Sequence, residues 1–283
     1  MFGFLNIYKP KGKTSHDVVA ILRRVTKIKQ IGHTGTLDPF AEGVLPVCIG
    51  KSTRLIEYLA DDKAYIATVQ FGCSTTTYDI EGEISNTSDK KVLLEELQNQ
   101  ISNFVGEIEQ LPPIYSAIKV NGKKLYEYAR NGETVEIKSR RVVISKLMVL
   151  GFDYEKQTAE ILVECSKGTY IRSLANDLGE ALASYGHLIK LVRVKAGDFE
   201  LEKTIKLEDI HTIEDVEKAL LNPINYLNYP NYELSEKEKN LVSNGMGINV
   251  NLSDGNVVLT QQEKILAIAS VKNGKAKISK VFI

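Results

Sequence analysis

GHTGTLDPFAEGVLP, residues 32–46, separates a basic, helix-like segment from the apolar run VLPVCIG, and the rest of the chain is read from it. Gly32 and Gly35 bracket His33 and Thr34 and accept backbone angles that other residues resist. Pro39 pushes Asp38 toward an extended conformation, which holds its carboxylate out from the chain. Leu37, Phe40 and Val44 can pack beneath such a loop and stiffen it. A rigid loop presenting one carboxylate is a way to hold a catalytic group. An aspartate before proline is also an ordinary turn residue, and on local chemistry alone the turn is the commoner reading.

Upstream, Phe4–Tyr8 alternates weakly as a short strand that Lys9-Pro10-Lys11-Gly12 interrupts. Ser15 is placed to cap a helix with Val18, Ile21, Leu22, Val25 and Ile28 on one face and Arg23, Arg24 and Lys27 outside. Downstream, Val44–Ile49 reads as a buried strand and Ser52–Leu59 as a short helix. Tyr65–Phe71 alternates as a strand with Tyr65, Ala67, Val69 and Phe71 on one face. By that pattern Tyr65 is a core tyrosine whose hydroxyl has found a partner.

An amphipathic helix is expected over Asp89–Phe104, capped by Ser88 or Asp89, with Val92, Leu93, Leu97, Ile101 and Phe104 inward. The stretch GKKLYEYARNGETVEIKSRRV interleaves tyrosines with cations. That mixture suits RNA, since cations meet phosphates and rings meet bases. It suits equally a surface helix and hairpin whose Leu125, Tyr126 and Tyr128 pack inward. Residues 142–154 and 159–165 read as a hairpin. Thr169 would then cap a helix burying Ile171, Leu174, Leu178 and Leu182. Arg172 falls in its first turn, where the helix dipole disfavours a cation. A nearby carboxylate would explain it, although a solvated arginine is the ordinary case. Residues 186–194 form a further strand-like run; a linker follows from about Asn222, and then a small β domain.

Composition narrows the classes. The 283 residues, 43% hydrophobic and 25% charged, are enough for one large domain and a small one. No apolar run is long enough to cross a bilayer, and MFGFLNIYKPKGKTS does not read as a signal peptide. Cys48, Cys73 and Cys165 are scattered, odd in number and not spaced as metal ligands, which suits reduced thiols in a cytoplasm. Formal net charge is zero, yet cations cluster at Lys9–Lys29 and again through Lys119, Lys123, Lys124, Arg130, Lys138, Arg140 and Arg141. A local patch, not the total, is what binds phosphate.

The central segment resembles the G-H-T-G-x-L-D-P signature of the bacterial tRNA pseudouridine-55 synthases, the TruB family. Lys9-Pro10-Lys11-Gly12-Lys13-Thr14-Ser15 resembles the family's K-P-x-G-x-[ST]-S. Tyr65, Gly72, Thr75, Thr77, Asp79, Glu81 and Gly82 match its Y-x-A-x-V-x-F-G-x-x-T-x-T-x-D-x-E-G. Gln110–Lys119 and Cys165–Arg172 match Q-x-P-P-x-[YF]-S-A-x-K and C-S-[KR]-G-T-Y-I-R. The likeness is strong from about Asn6 to Arg193 and weakest beyond.

The resemblance implies an α+β fold: a mixed, largely antiparallel central sheet with flanking helices over 1–222, and a small PUA-like β domain over 223–283. It implies Asp38 as the catalytic residue, Tyr65 as a ring stacking on the target base and Arg172 as the partner of Asp38, lowering its pKa. His33 would fill the space of an extruded base, Leu191 would lie under the site, and the Lys9–Ser15 element would support the active-site loop and lie near the RNA, with Lys9 among the residues that bind it. A mobile basic arm over about 119–141, with Lys119, Lys123, Lys124, Arg130, Arg140 and Arg141, would close on the T-stem-loop of tRNA. The implied reaction turns uridine into pseudouridine with no cofactor and no metal. The chain is expected to be a cytoplasmic monomer without an obligate protein partner. A synthase of another RNA and a non-catalytic tRNA-binding or folding protein are the alternatives.

Overall fold

The computed structural model describes residues 1–282. A ten-stranded mixed sheet forms its body. The strands that position the site are β1 (Gly3–Lys9), β2 (Ile31–His33), β3 (Glu42–Ile49), β4 (Lys63–Phe71), β5 (Gly106–Gln110), β6 (Arg140–Asp153), β7 (Thr158–Cys165) and β8 (Gly186–Ala196). Their order is β1-β3-β8-β4-β7-β6-β5, with β2 on β3. The pairs are antiparallel except β3 with β8, and Ile205–Lys206 lies parallel to β1. One face of β4 and β7 buries Tyr65, Ala67, Val69, Phe71, Ile161 and Val163.

Helix α1 (Ser15–Thr26) packs Val18, Val19 and Leu22 against Leu5, Ile7, Leu45 and Val47. Its cap is Thr14, not Ser15: the Thr14 hydroxyl accepts from Asp17 N at 3.0 Å, and Asp17 accepts from Thr14 N at 2.8 Å. Ser15 is thereby free for another task, and its Oγ accepts from Leu37 N at 2.9 Å. The segment expected to be helical over Ser52–Leu59 is a run of 3-10 turns, Gly50–Tyr58.

The helix expected over Asp89–Phe104 is shorter, α2 (Leu94–Ile101), ending in a 3-10 turn. Val92 is buried but lies ahead of the helix, its N–H donating to Gln157 Oε1 at 2.6 Å. Leu93, expected inward, is 51% exposed, and the Glu96 carboxylate accepting its N–H starts the helix there. Helix α3 (Ile171–Ala181) is likewise not capped by Thr169, whose hydroxyl donates to Ser166 O. Gln110, on β5, does that work from across the fold, accepting from Tyr170 N at 2.7 Å and donating to Tyr170 O at 3.0 Å.

Beyond residue 222 a five-stranded sheet forms, with Gly255–Gln261, Lys264–Lys272 and Lys275–Val281 as its longest strands. It also carries a helix that the sequence pattern did not suggest, α4 (Glu236–Ser243), boxed by Ser235 and Glu238. This sheet shares a core with the body: Phe4, Leu55 and Phe199 pack with Leu227, Val258, Ile268 and Phe282. Tyr226 stacks on Phe199 at 4.4 Å, and Lys280 pairs with Glu57.

Candidate active site

The chain from β2 to β3 forms a loop whose apolar residues point down, with Leu37 and Phe40 each 3% exposed. The K-P-K-G-K-T-S element grips it on both sides of Asp38. Ser15 holds Leu37, and Gly12 N donates to Pro39 O at 2.8 Å. Lys9 Nζ donates to Lys13 O at 2.6 Å, to Pro10 O at 3.0 Å and, at 3.4 Å, to Pro39 O. Lys9 is fully buried, so its expected contact with RNA is corrected: its ammonium is spent on carbonyls that shape the loop. Burial pulls its pKa down to about 8.

Asp38 consequently stands at the edge of a cleft of about 520 Å³, its side chain 34% exposed. Tyr65 and Leu191, 7% and 4% exposed, line the same cleft, with Tyr115, Tyr126 and Tyr170. Arg172 meets Asp38 from the first turn of α3. Its Nε lies 3.0 Å from Oδ2, and Nη2 donates to Oδ1 at 3.2 Å. The arginine is 6% exposed, which overturns the solvated alternative.

Arg172 has a second carboxylate, Asp79, 3.3 Å from Nη1 and 4% exposed. Asp79 is itself fixed, accepting from Thr77 Oγ1 at 2.5 Å and from Glu81 N at 3.0 Å. The remaining guanidinium donors reach Thr77 O at 3.1 Å and Tyr115 O at 3.0 Å. A cation in the first turn, unfavourable to the dipole, is stabilised here by two carboxylates and two carbonyls. Burial pushes the Asp38 carboxyl above its ordinary value; Arg172 pulls it back and Asp79 pushes it further up. Arg172 lowers the carboxyl as expected, but desolvation outweighs the ion pair and the net displacement is upward. Burial also raises the Tyr65 phenol, against the pull of Arg193, so the ring is neutral at physiological pH.

His33, beside the cleft-lining Thr34, sets its ring edge-on to His16 at 5.6 Å. Burial drives its pKa down to about 4, with His16 and Arg193 adding to the effect, and its Nδ1 is buried without a hydrogen-bond partner. A neutral imidazole of this kind suits stacking better than proton transfer.

The basic arm is a two-stranded ribbon, Lys119–Val120 with Lys123–Lys124, followed by a short helix, Leu125–Arg130. Leu125 is buried and Tyr126 reaches the cleft, while Lys119, Arg130, Arg140 and Arg141 are exposed. Lys123 is paired with Glu133 at 2.6 Å, and Arg141 lies 3.6 Å from Glu107. Lys124 and Arg130 both lie over the Tyr126 ring.

Sequence reading assigned no role to Asp79 or to Arg193. Asp79 was one letter of a matched motif, and only the fold turns it toward Arg172. Arg193 is fully buried, and its signal was a lone cation on the strand face that carries Leu191. Among the described residues no three His, Cys, Asp or Glu side chains gather as a metal site, and no helix is long and apolar enough to cross a membrane.

Residues 23–171 match the TruB family pseudouridylate synthase N-terminal domain, and residues 172–227 match the tRNA pseudouridylate synthase B C-terminal domain. The tRNA pseudouridine synthase B of Caldanaerobacter subterraneus is 45% identical over 87% of this chain and 86% of that protein. Its Staphylococcus aureus counterpart is 42% identical over 99% of both chains. A chain of the H/ACA ribonucleoprotein bound to a substrate RNA containing 2'-deoxyuridine shares the fold, with TM-score 0.73 at 23% identity, over 100% of this chain and 85% of that chain. A cleft floored by Tyr65 and Leu191 and edged by a clamped, arginine-paired aspartate thus sits inside a likeness that spans nearly the whole chain, and the chain belongs to the TruB family of pseudouridylate synthases.

Proposed function

We propose that this protein converts uridine 55 in the T-loop of tRNA to pseudouridine, with Asp38 as the catalytic carboxylate. The observation that carries this reading is the Asp38–Arg172 pair, open to the cleft on one side and anchored by Asp79 on the other. In the reaction the N1–C1′ bond breaks, the uracil turns, and C5 bonds to C1′; no atom is gained or lost, so no co-substrate is consumed. An ionised Asp38 would act on the sugar or the base, as nucleophile at C1′ or C6 or as base at C2′.

The target uracil has to leave its stack to reach the carboxylate. Tyr65, neutral and at the cleft floor, would stack on it, over Leu191, while His33 fills the vacated space. The exposed Lys119, Arg130, Arg140 and Arg141 would meet the phosphates of the T-stem. The catalytic unit would be residues 1–222 and the PUA-like unit 223–283. The free, largely buried cysteines suit a reducing, cytoplasmic compartment.

Asp38→Asn tests the assignment. Site-resolved pseudouridine formation on a T-loop minihelix, with no added cofactor, should fall by about 10⁴-fold or more. Minihelix binding should stay within a few fold. Turnover near the normal rate in this variant would remove Asp38 from the chemistry, and product at another site would redirect the choice of RNA.

A further inference from the structure

Arg193 is the largest fully buried side chain, and among the described residues no carboxylate pairs with it. It lies on β8 between two strands, in register with Tyr65 on β4 and with Gly43 on β3. Its guanidinium is spread over several backbone acceptors. Nε donates to Val44 O at 2.7 Å, Nη2 to Gly35 O at 3.1 Å and, at 3.4 Å, Nη1 to Thr36 O. Tyr65 stands opposite it in the strand register, and its phenol and the guanidinium act on each other electrostatically. Gly43 is pressed onto its backbone: at φ +107°, a Cβ there would fall 2.3 Å from Arg193 O. One side chain therefore ties the loop leading to Asp38, the strand leaving it and the ring at the cleft floor.

A buried guanidinium without a counter-ion is costly, and filling space is done at lower cost by an apolar residue. Its use here matches the planar fork of arginine, which can satisfy three carbonyls at once while still facing the Tyr65 ring; an ammonium cannot hold that geometry. Resting on the function proposed above, we propose that Arg193 is a positioning residue of the isomerisation, holding the Tyr65 ring and the Asp38 loop in one frame while the uracil turns between them. The charged and titratable groups around it are Lys9, His33, Asp38, Lys63, Tyr65 and, through Tyr65, Cys165. Arg193 lowers the pKa of Lys9, His33 and Lys63 and pulls Tyr65 down against its burial, so its field reaches both sides of the cleft.

The test compares Arg193→Lys and Arg193→Gln, each in the otherwise unaltered protein and in a Tyr65→Phe background. Minihelix affinity and single-turnover pseudouridine formation are measured for all. A frame displaced by about an ångström costs on the order of 10²-fold in rate. That loss is expected for Arg193→Gln in the turnover step, with affinity within about threefold, and a smaller one for Arg193→Lys. In the Tyr65→Phe background, where the phenol is already gone and only the hold on the loop carbonyls remains to be lost, a clearly smaller loss than in the unaltered protein is expected. Equal losses in both backgrounds, or a loss confined to affinity, would overturn the proposal. If neither variant folds, Arg193 is a strut of the core and the proposal falls. If the unaltered protein makes no pseudouridine in the T-loop, the function proposed above fails instead.

Discussion

Arg172→Met removes a cation that two carboxylates share, and the structure says which of them suffers. Deleting one partner of a buried ion pair costs about 3–5 kcal/mol, mostly as the penalty of stranding the other charge. Asp38 is one-third open to the cleft, so water can reach its exposed edge although the rest of the carboxyl is desolvated. Asp79, at 4% exposure, has no such recourse. Two carbonyls, of Thr77 and Tyr115, also lose their donors. A destabilisation of about 3 kcal/mol, at the low end of that range, is expected in urea unfolding with an unchanged m-value.

Adding Asp79→Asn removes the stranded charge and should return roughly 1–2 kcal/mol. Single-turnover pseudouridine formation should remain depressed by about 10²–10³-fold in both variants, because Asp38 still lacks its cation. The burial of this arginine makes both losses, in stability and in turnover, substantial. If stability does not recover in the double variant, or if activity recovers with it, the division of labour between Asp38 and Asp79 is wrong.

Two predictions concern pH. Because burial raises the Asp38 carboxyl above its ordinary 3.8, activity that needs it ionised should fall on acidification with a midpoint above that value. Asp79→Asn alone should move this limb of the kcat/KM profile to lower pH, since the Asp79 charge pushes Asp38 up; an unmoved limb would count against their coupling. Lys9 has a folded pKa of about 8 against 10.5 unfolded, so between these values the unfolded chain binds more protons and stability gains with rising pH. That gain is complete above 10.5 and lost as pH falls through about 8. The urea stability of the unaltered protein relative to Lys9→Met should therefore rise from pH 7.5 to pH 10; parallel curves would show that Lys9 is not desolvated.

Strands were the most legible elements, because a period-two pattern with one buried face survives any tertiary arrangement: Tyr65, Ala67, Val69 and Phe71 all face the core as read. Helix starts were less so. Thr14 rather than Ser15 caps α1, Leu93 turns outward, and α3 is capped by Gln110 from 60 residues away. Such ends are set by whichever partner satisfies the first free N–H groups, and that partner can be remote.

The pairing of Asp38 with Arg172 was legible through resemblance to a family, not through spacing. The two residues are 134 positions apart, and what joins them is the docking of α3 beside the loop. The sequence by itself determined the stiffness of residues 32–46, since glycine and proline act on their own and adjacent backbone angles wherever the chain goes. It also determined which strand faces would be buried. Only the tertiary structure decided that the Lys9 ammonium is buried on carbonyls, that Asp79 meets the arginine from its other side, and that Arg193 bonds the carbonyls on either side of the Asp38 loop. Desolvation is the reason: a charged side chain exposed to water is bound to no particular neighbour, and its role becomes specific only when folding strips the water away and leaves it the partners at hand.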